Sequence, residues 1–215
     1  MTEPTDAGLP HGMVASQDEL AAIVGEPGDI ARFKGIPRLD GHCRDFIQRS
    51  PFVVLATSDA EGRCDVSPRG GVPGFVRVLE DGRLALGDAR GNRRLDSMRN
   101  VLQNPHVGML FLIPGLGETL RVNGRAAVSR DPELLCQLVD GVARAPDLAI
   151  VVQVEEAFLH CAKALIRGSV WKPSEWPSRD GLPPPARIWK EHAGLSDVSY
   201  EAVEELVRQD YVDSL

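Results

Sequence analysis

The sequence predicts a mainly β domain of α+β type, a sandwich or barrel with helical additions at both ends. Two observations lead there. Apolar, β-branched runs bounded by turn residues recur at spacings of about ten residues from position 52 onward, the rhythm of a sandwich or barrel. Capped helical patterns sit before and after them, and one more interrupts the series.

The elements follow in order. Residues 1–14 read as a polar tail. "SQDELAAIVGEPG" carries a capping box, Ser16 with Glu19, and Gly25 and Pro27 stop that helix. "LDGHCRDFIQRSP" is a second short helix ending before Pro51. "FVVLATSD" (52–59) is a buried strand and "AEGR" its turn. "RCDVSPRGG" follows, and Pro68 should end or bulge that strand. "FVRVLED" and "RLALGD" flank a turn at Asp81–Gly82. A helical pattern spans 92–103, with Leu95, Met98, Val101 and Leu102 on one face, and Asn104–Pro105 ends it. "HVGMLFLIPG" and "ETLRVNGRAAVSRD" are two long strands around a glycine-containing turn. "DPELLCQLVDG" is a short helix with Asp131 as cap and Pro132 at its first position. "LAIVVQVEEAFLHC" starts as a buried strand and merges into a helix over "AFLHCAKALIRGSVW". Pro173 to Pro185 is loop, and "SYEAVEELVRQDYV" is an amphipathic helix with Val203, Leu206 and Tyr211 on its apolar side.

Composition narrows the function. Of 215 residues, 43% are hydrophobic and 26% charged, ordinary for a globular protein. A net charge of −7 and 5% aromatic content argue against general nucleic-acid binding. The four cysteines, Cys43, Cys64, Cys136 and Cys161, form no CxxC pair and no zinc spacing, so buried free thiols in a reducing cytoplasm are expected and no metal is. The acidic, polar N-terminus does not resemble a signal peptide, and no apolar run of about 18 residues predicts a membrane span.

The chemistry concentrates in a few stretches. In "GDARGNRRLDSMRN" (87–100), Asn92 is a helix cap, which puts Arg93 and Arg94 in the first two helical positions. Cations oppose the helix dipole there by about 0.3–1 kcal/mol each. A bound anion reverses the sign, because free N–H groups, dipole and guanidiniums then act together, with Ser97 adding a hydroxyl. A solvated pair screened by Asp88 or Asp96 is the plain alternative. In "TLRVNGRAAV", Leu120, Val122, Ala126 and Val128 share one strand face, while Thr119, Arg121, Asn123 and Arg125 share the other. In "DVSPRGG", Asp65, Ser67 and Arg69 alternate with Val66 and Pro68, and the glycines let a flat ligand approach the backbone. "HCAKALIRGSVW" offers His160, Lys163, Arg167 and Trp171. There is no HExxH, GxSxG or GxxxxGK[ST], and the glycine spacing of "GDARGN" is not a dinucleotide fingerprint. No catalytic residue is named.

Taken in order, "FVVLATSDAEGRCDVSPRGG", "LALGDARGNRRLDSMRNVLQNPHVGMLFLIPG" and "ETLRVNGRAAV" resemble the pyridoxamine 5′-phosphate oxidase-like family of FMN-binding split barrels. The closest likeness is to a subgroup of FMN-dependent enzymes with a "GNRRLDS…RN…NP…G…FLIPG…ETLRVNG" block. The resemblance covers roughly residues 38–172, which leaves 1–37 as tail and helix and 173–215 as a loop and helical extension packing on the barrel. It implies a six-stranded antiparallel split barrel and a homodimer with two FMN molecules in clefts between the subunits. By that likeness Asn92, Arg93, Arg94 and Ser97 lie in the phosphate-binding region, and Asp88 is counted among the cofactor-binding residues. Ser67, Pro68, Arg69 and Gly70 border the isoalloxazine ring, with Arg69 the candidate for stabilising reduced flavin. Glu118, Thr119 and Arg121 face the cleft, and Lys163, Arg167 and Trp171 come from the late segment, in part across the dimer.

There are departures. The oxidases carry an Arg-Lys pair where this chain has Asp96–Ser97, and a basic C-terminal motif where it has "EELVRQDYVDSL". Pyridoxamine phosphate is therefore not the expected substrate. The implied function is an FMN-dependent oxidoreductase acting on a small molecule. A split barrel binding F420 or haem, or a non-catalytic flavin sensor, is the alternative.

Overall fold

A computed structural model describes residues 12–88, 93–139 and 146–214. The chain divides into two compact units, Met1–Gly35 and Ile36–Leu215. In the first, helix α1 (Gln17–Val24) starts as expected: the Ser16 hydroxyl accepts the Glu19 N–H at 3.1 Å, and Glu19 reaches back to the Ala15 N–H at 2.9 Å. Gly25, at φ 81, ends it. A short helix α2 (Asp29–Phe33) follows.

The second unit is built on one antiparallel sheet. Its strands are β1 (Phe52–Ser58), β2 (Cys64–Gly70), β3 (Val76–Val78), β4 (Leu84–Gly87), β5 (His106–Leu112), β6 (Thr119–Ser129) and β7 (Ala149–His160). The order across the sheet is β2-β1-β5-β6-β7-β4-β3. That is seven strands where the resemblance implies six; the three-residue edge strand β3 makes the difference. Helix α3 (Gly41–Arg49), capped by Asp40, precedes the sheet, and α4 (Asp96–Gln103) connects β4 to β5. Ile36 is tied to the sheet by a two-way backbone bridge with Ala157.

Strand alternation sorts the residues. Val53 and Leu55, Val107, Met109 and Phe111, Leu120 and Val122, and Ile150, Val152 and Val154 point inward and are buried. Ile47 of α3 and Met98 and Val101 of α4 complete this core. The sheet must curl strongly. In a flat sheet β2 and β4 would be five spacings, about 24 Å, apart. Yet Arg69 of β2 and Asp88, just beyond β4, pair at 3.7 Å. The curl leaves a seam between these strands, and α4 lies against β1, β2 and β6 on its inner side.

Four expectations change. The helix read over 92–103 begins at Asp96, with Leu95 as its cap. Asn92 lies outside the described residues. Strand β2 neither ends nor bulges at Pro68 but pairs through it to Gly70. It is an edge strand, where a missing N–H costs no ladder bond. Strand β7 runs to His160, and only Lys163–Arg167 of the expected helix forms (α6), because β6 offers partners as far as Thr119↔His160. Between them, α5 (Pro132–Cys136) forms as read, with Asp131 accepting the Glu133 N–H. The proline-rich segment holds a 3-10 turn at Pro173–Glu175, and a helix α7 (Pro185–His192) lies against α8 (Tyr200–Ser214).

Two predictions follow from the core. β6 and β7 shift register at Asn123/Gly124, where a Cβ on Gly124 would lie 2.1 Å from the Gln153 carbonyl oxygen. Gly124→Ala should cost about 1–3 kcal/mol in urea unfolding, since the central pair must part. The Cys43 thiol is pushed up to about 11, first by burial and then by the Asp40 carboxylate beside it. It should stay protonated at mildly alkaline pH; Cys64, Cys136 and Cys161 are exposed, not buried as expected, because none lies at an inward core position, so Ellman's reagent should modify those three quickly and Cys43 only on unfolding. Because the folded value lies above the unfolded 9.0, the thiol's contribution to stability is full below 9.0 and falls as pH rises toward 11.

Candidate functional site

The inward positions of β2 are polar: Asp65, Ser67 and Arg69, opposite Thr57, Leu55 and Val53 of β1. Polar groups turned into a barrel need partners. Helix α4 supplies one, Ser97, which is 1% exposed. Its Oγ donates to Asp65 Oδ2 at 3.3 Å, lies 3.1 Å from Ser67 Oγ and accepts from Arg69 Nη2 at 3.1 Å. Arg69 Nε also donates to Ser67 Oγ at 3.3 Å. The directions are forced. Ser97 has one proton, and the Asp65 carboxylate can only accept, so Ser67 donates to Ser97. The chain runs Arg69 to Ser67 to Ser97 to Asp65.

Two asparagines hold α4 in place. Asn100 Nδ2 donates to Thr57 Oγ1 at 3.0 Å, and Asn104 Nδ2 to Ser58 Oγ at 2.8 Å. Thr57 is itself buried. Sequence reading missed Asp65, Thr57 and Asn100 as a unit. The signal was a threonine at an inward position of an apolar strand and an asparagine inside a helix.

The backbone leading into α4 is strained. Arg93 and Leu95 adopt left-handed conformations, φ 59 and φ 58, costly for residues with a Cβ. Arg93 and Arg94 therefore precede the helix and do not form its first turn. Arg94 pairs with Asp96, which occupies that turn and suits the dipole. Its guanidinium is pushed to a higher pKa, mainly by Asp96, with a smaller contribution from Asp65.

Asp88 stands across the seam. Its N–H extends the ladder to the Leu148 carbonyl at 2.8 Å, and its carboxylate lies 3.7 Å from Arg69 Nη1. Burial raises its pKa; Arg69 opposes the rise and Asp147 adds to it.

The remaining expected residues lie elsewhere. Pro68 of β2, Val54, Leu110, Arg121 and Phe158 form one cross-strand row on the outer face, opposite to Ser67 and Arg69. Arg121 stacks over the Phe158 ring at 5.0 Å. Thr119 is buried beside His160, whose Nδ1 is buried with no partner among the described residues. Trp171 is held by its indole N–H on the Leu116 carbonyl at 2.7 Å, while Glu118 precedes β6 and Lys163 opens α6 on the surface. Gly70 closes β2 against Phe52. Of the expected set, Ser67, Arg69, Asp88 and Ser97 meet at the seam, with Arg93 and Arg94 just before Ser97 in the chain, Pro68 and Arg121 share the outer face, and Gly70, Glu118, Thr119, Lys163 and Trp171 join neither group. No group of three or more His, Cys, Asp or Glu side chains among the described residues could hold a metal ion, and no described helix is long and apolar enough to cross a membrane.

Ser97→Ala tests the seam network. It strands Asp65, the Ser67 hydroxyl proton and the Arg69 Nη2 donor in a half-buried seam, so stability should fall by about 1–3 kcal/mol, measured by urea unfolding.

No curated protein matches the chain. Among solved structures, Group A Streptococcus HupZ is 17% identical over 56% of this chain and 93% of its own, with a TM-score of 0.47. HutZ, the haem storage protein of Vibrio cholerae, is 23% identical over 58% and 94%, with a TM-score of 0.40. An F420 reductase is 22% identical over 53% and 94%, with a TM-score of 0.39. The family profile described as pyridoxamine 5′-phosphate oxidase matches residues 39–161, more than half of the sequence. The chain belongs to the pyridoxamine 5′-phosphate oxidase family of split-barrel proteins.

Proposed function

We propose that the seam binds the phosphate end of FMN and that the chain is an FMN-dependent oxidoreductase of a small molecule. The observation that carries this reading is the seating of Arg69. A half-buried guanidinium is fixed by two serine hydroxyls on the inner side of the sheet, next to a strained turn bearing two more arginines. Guanidiniums and hydroxyls are the donor set a phosphate needs. Backbone strain of this kind collects at ligand sites.

The geometry also changes one assignment. The likeness puts Arg69 at the ring and Ser97 at the phosphate, but the two are in direct contact at 3.1 Å. The ribityl chain of FMN separates ring from phosphate. We therefore place Arg69 at the phosphate end with Arg93 and Arg94, and make Ser97 the residue that aims it. Bound FMN would supply the hydride or electron chemistry. The chain's own part is to hold the phosphate, orient the ring and shield it from water. The outer-face row from Pro68 and Val54 to Leu110 is apolar and suits a second copy of the chain, as the expected homodimer requires.

The test is an FMN titration followed by flavin fluorescence, with mass spectrometry of whatever the purified protein releases. FMN should bind and colour the protein yellow, and F420 and haemin titrated alongside should bind more weakly. Arg69→Ala should lower FMN affinity more than about tenfold with the fold intact, and Arg93→Ala with Arg94→Ala should also weaken it. A colourless protein that takes up no FMN sinks the reading. Anaerobic reduction of the bound flavin by NADH or NADPH, and its reoxidation in air, separates an oxidoreductase from a flavin sensor.

A further inference from the structure

The Arg69–Asp88 pair differs from the surface ion pairs of the late helices. Arg187–Glu191, Arg208–Glu205 and Lys172–Glu175 are neighbours along one stretch of chain, with half or more of each side chain exposed. Arg69 and Asp88 come from opposite sides of the seam, with side chains only 26% and 23% exposed. Arg69 commits Nε to Ser67 and Nη2 to Ser97, so its Nη1 edge is the one turned toward the seam. Asp88 Oδ1 faces that edge at 3.7 Å, beyond hydrogen-bond distance. The contact is attraction without a geometric lock.

We propose that Asp88 is an internal counter-ion that neutralises Arg69 until the phosphate of a ligand displaces it, and that it thereby sets how strongly the seam discriminates between phosphorylated and neutral ligands. The inference rests on the FMN reading above. The surroundings of Asp88 suit the role. Burial disfavours its charge and Asp147 repels it, while Arg69 opposes both and favours the ionised form. A phosphate arriving at Nη1 meets the carboxylate head-on, and two like charges in a half-buried seam repel strongly. Wild-type affinity is then a balance between the gain at Arg69 and the displacement of Asp88.

Asp88→Asn keeps the shape and removes the charge; Asp88→Ser also removes it, with less bulk. FMN and riboflavin are titrated into the full-length wild type and each variant at neutral pH, with thermal melting as the fold check. Both variants should bind FMN at least about fivefold more tightly than wild type, while riboflavin affinity stays unchanged. FMN affinity equal to or below that of a wild type that binds FMN overturns the proposal and leaves the FMN reading standing. Tightening of riboflavin by the same factor also overturns it, because the effect then does not involve the phosphate. A wild type that binds no FMN overturns the FMN reading and this inference with it.

Discussion

Charge cannot be turned into a barrel without partners, and β2 turns three polar side chains inward. Asp65, Ser67 and Arg69 share a face with Val53 and Leu55, so each must find a hydrogen bond or carry the full cost of lost hydration. The Ser97 hydroxyl meets that demand for all three. For Ser97 to be there, α4 must lie against the inside of β1 and β2, and Asn100 and Asn104 hold it on Thr57 and Ser58. Directly before α4, Arg93 and Leu95 accept left-handed backbone. One satisfied network thus accounts for the position of a helix and the direction of the Arg69 guanidinium.

Much of the fold was legible in the sequence, because alternation and turn chemistry are local signals. β1, β5 and β6 read directly, down to the sorting of Leu120 and Val122 inward and Arg121 and Asn123 outward. The capped helices at Ser16 and Asp131 read equally well. Misreadings occurred where tertiary context overrides a local rule. Pro68 signals a strand end only for a strand paired on both sides, and nothing local marks β2 as an edge. "AFLHCA" is acceptable as helix or strand; pairing with β6 decides for strand as far as His160. Asn92 is a good cap by type, but the buried position required of Ser97 delays the helix to Asp96.

The candidate site was legible as a list of residues but not as a geometry. Ser67, Arg69 and Ser97 stood 30 positions apart or less, yet nothing in the spacing shows that β2 and α4 touch. Their meeting depends on the curl, which is set by the whole sheet. Arg121 and Pro68 belong to the opposite surface for the same reason: a period of two assigns faces within a strand, and only the register joins those faces into one surface.

The arginines before α4 were the original electrostatic puzzle, and the structure relocates it. Two carboxylates, Asp88 and Asp96, stood ready to screen Arg93 and Arg94. Asp96 takes Arg94 at the surface, where such a pair contributes little and gives way readily to a better anion. Asp88 reaches across the seam to Arg69. The cation that is hardest to leave unpaired is therefore not the exposed Arg94 but Arg69, because water can solvate the first and reaches the second only through the seam. A ligand phosphate gains most where water competes least. The proposed anion site therefore centres on Arg69 in the seam, where the guanidinium is half-buried, and not on the exposed helix start.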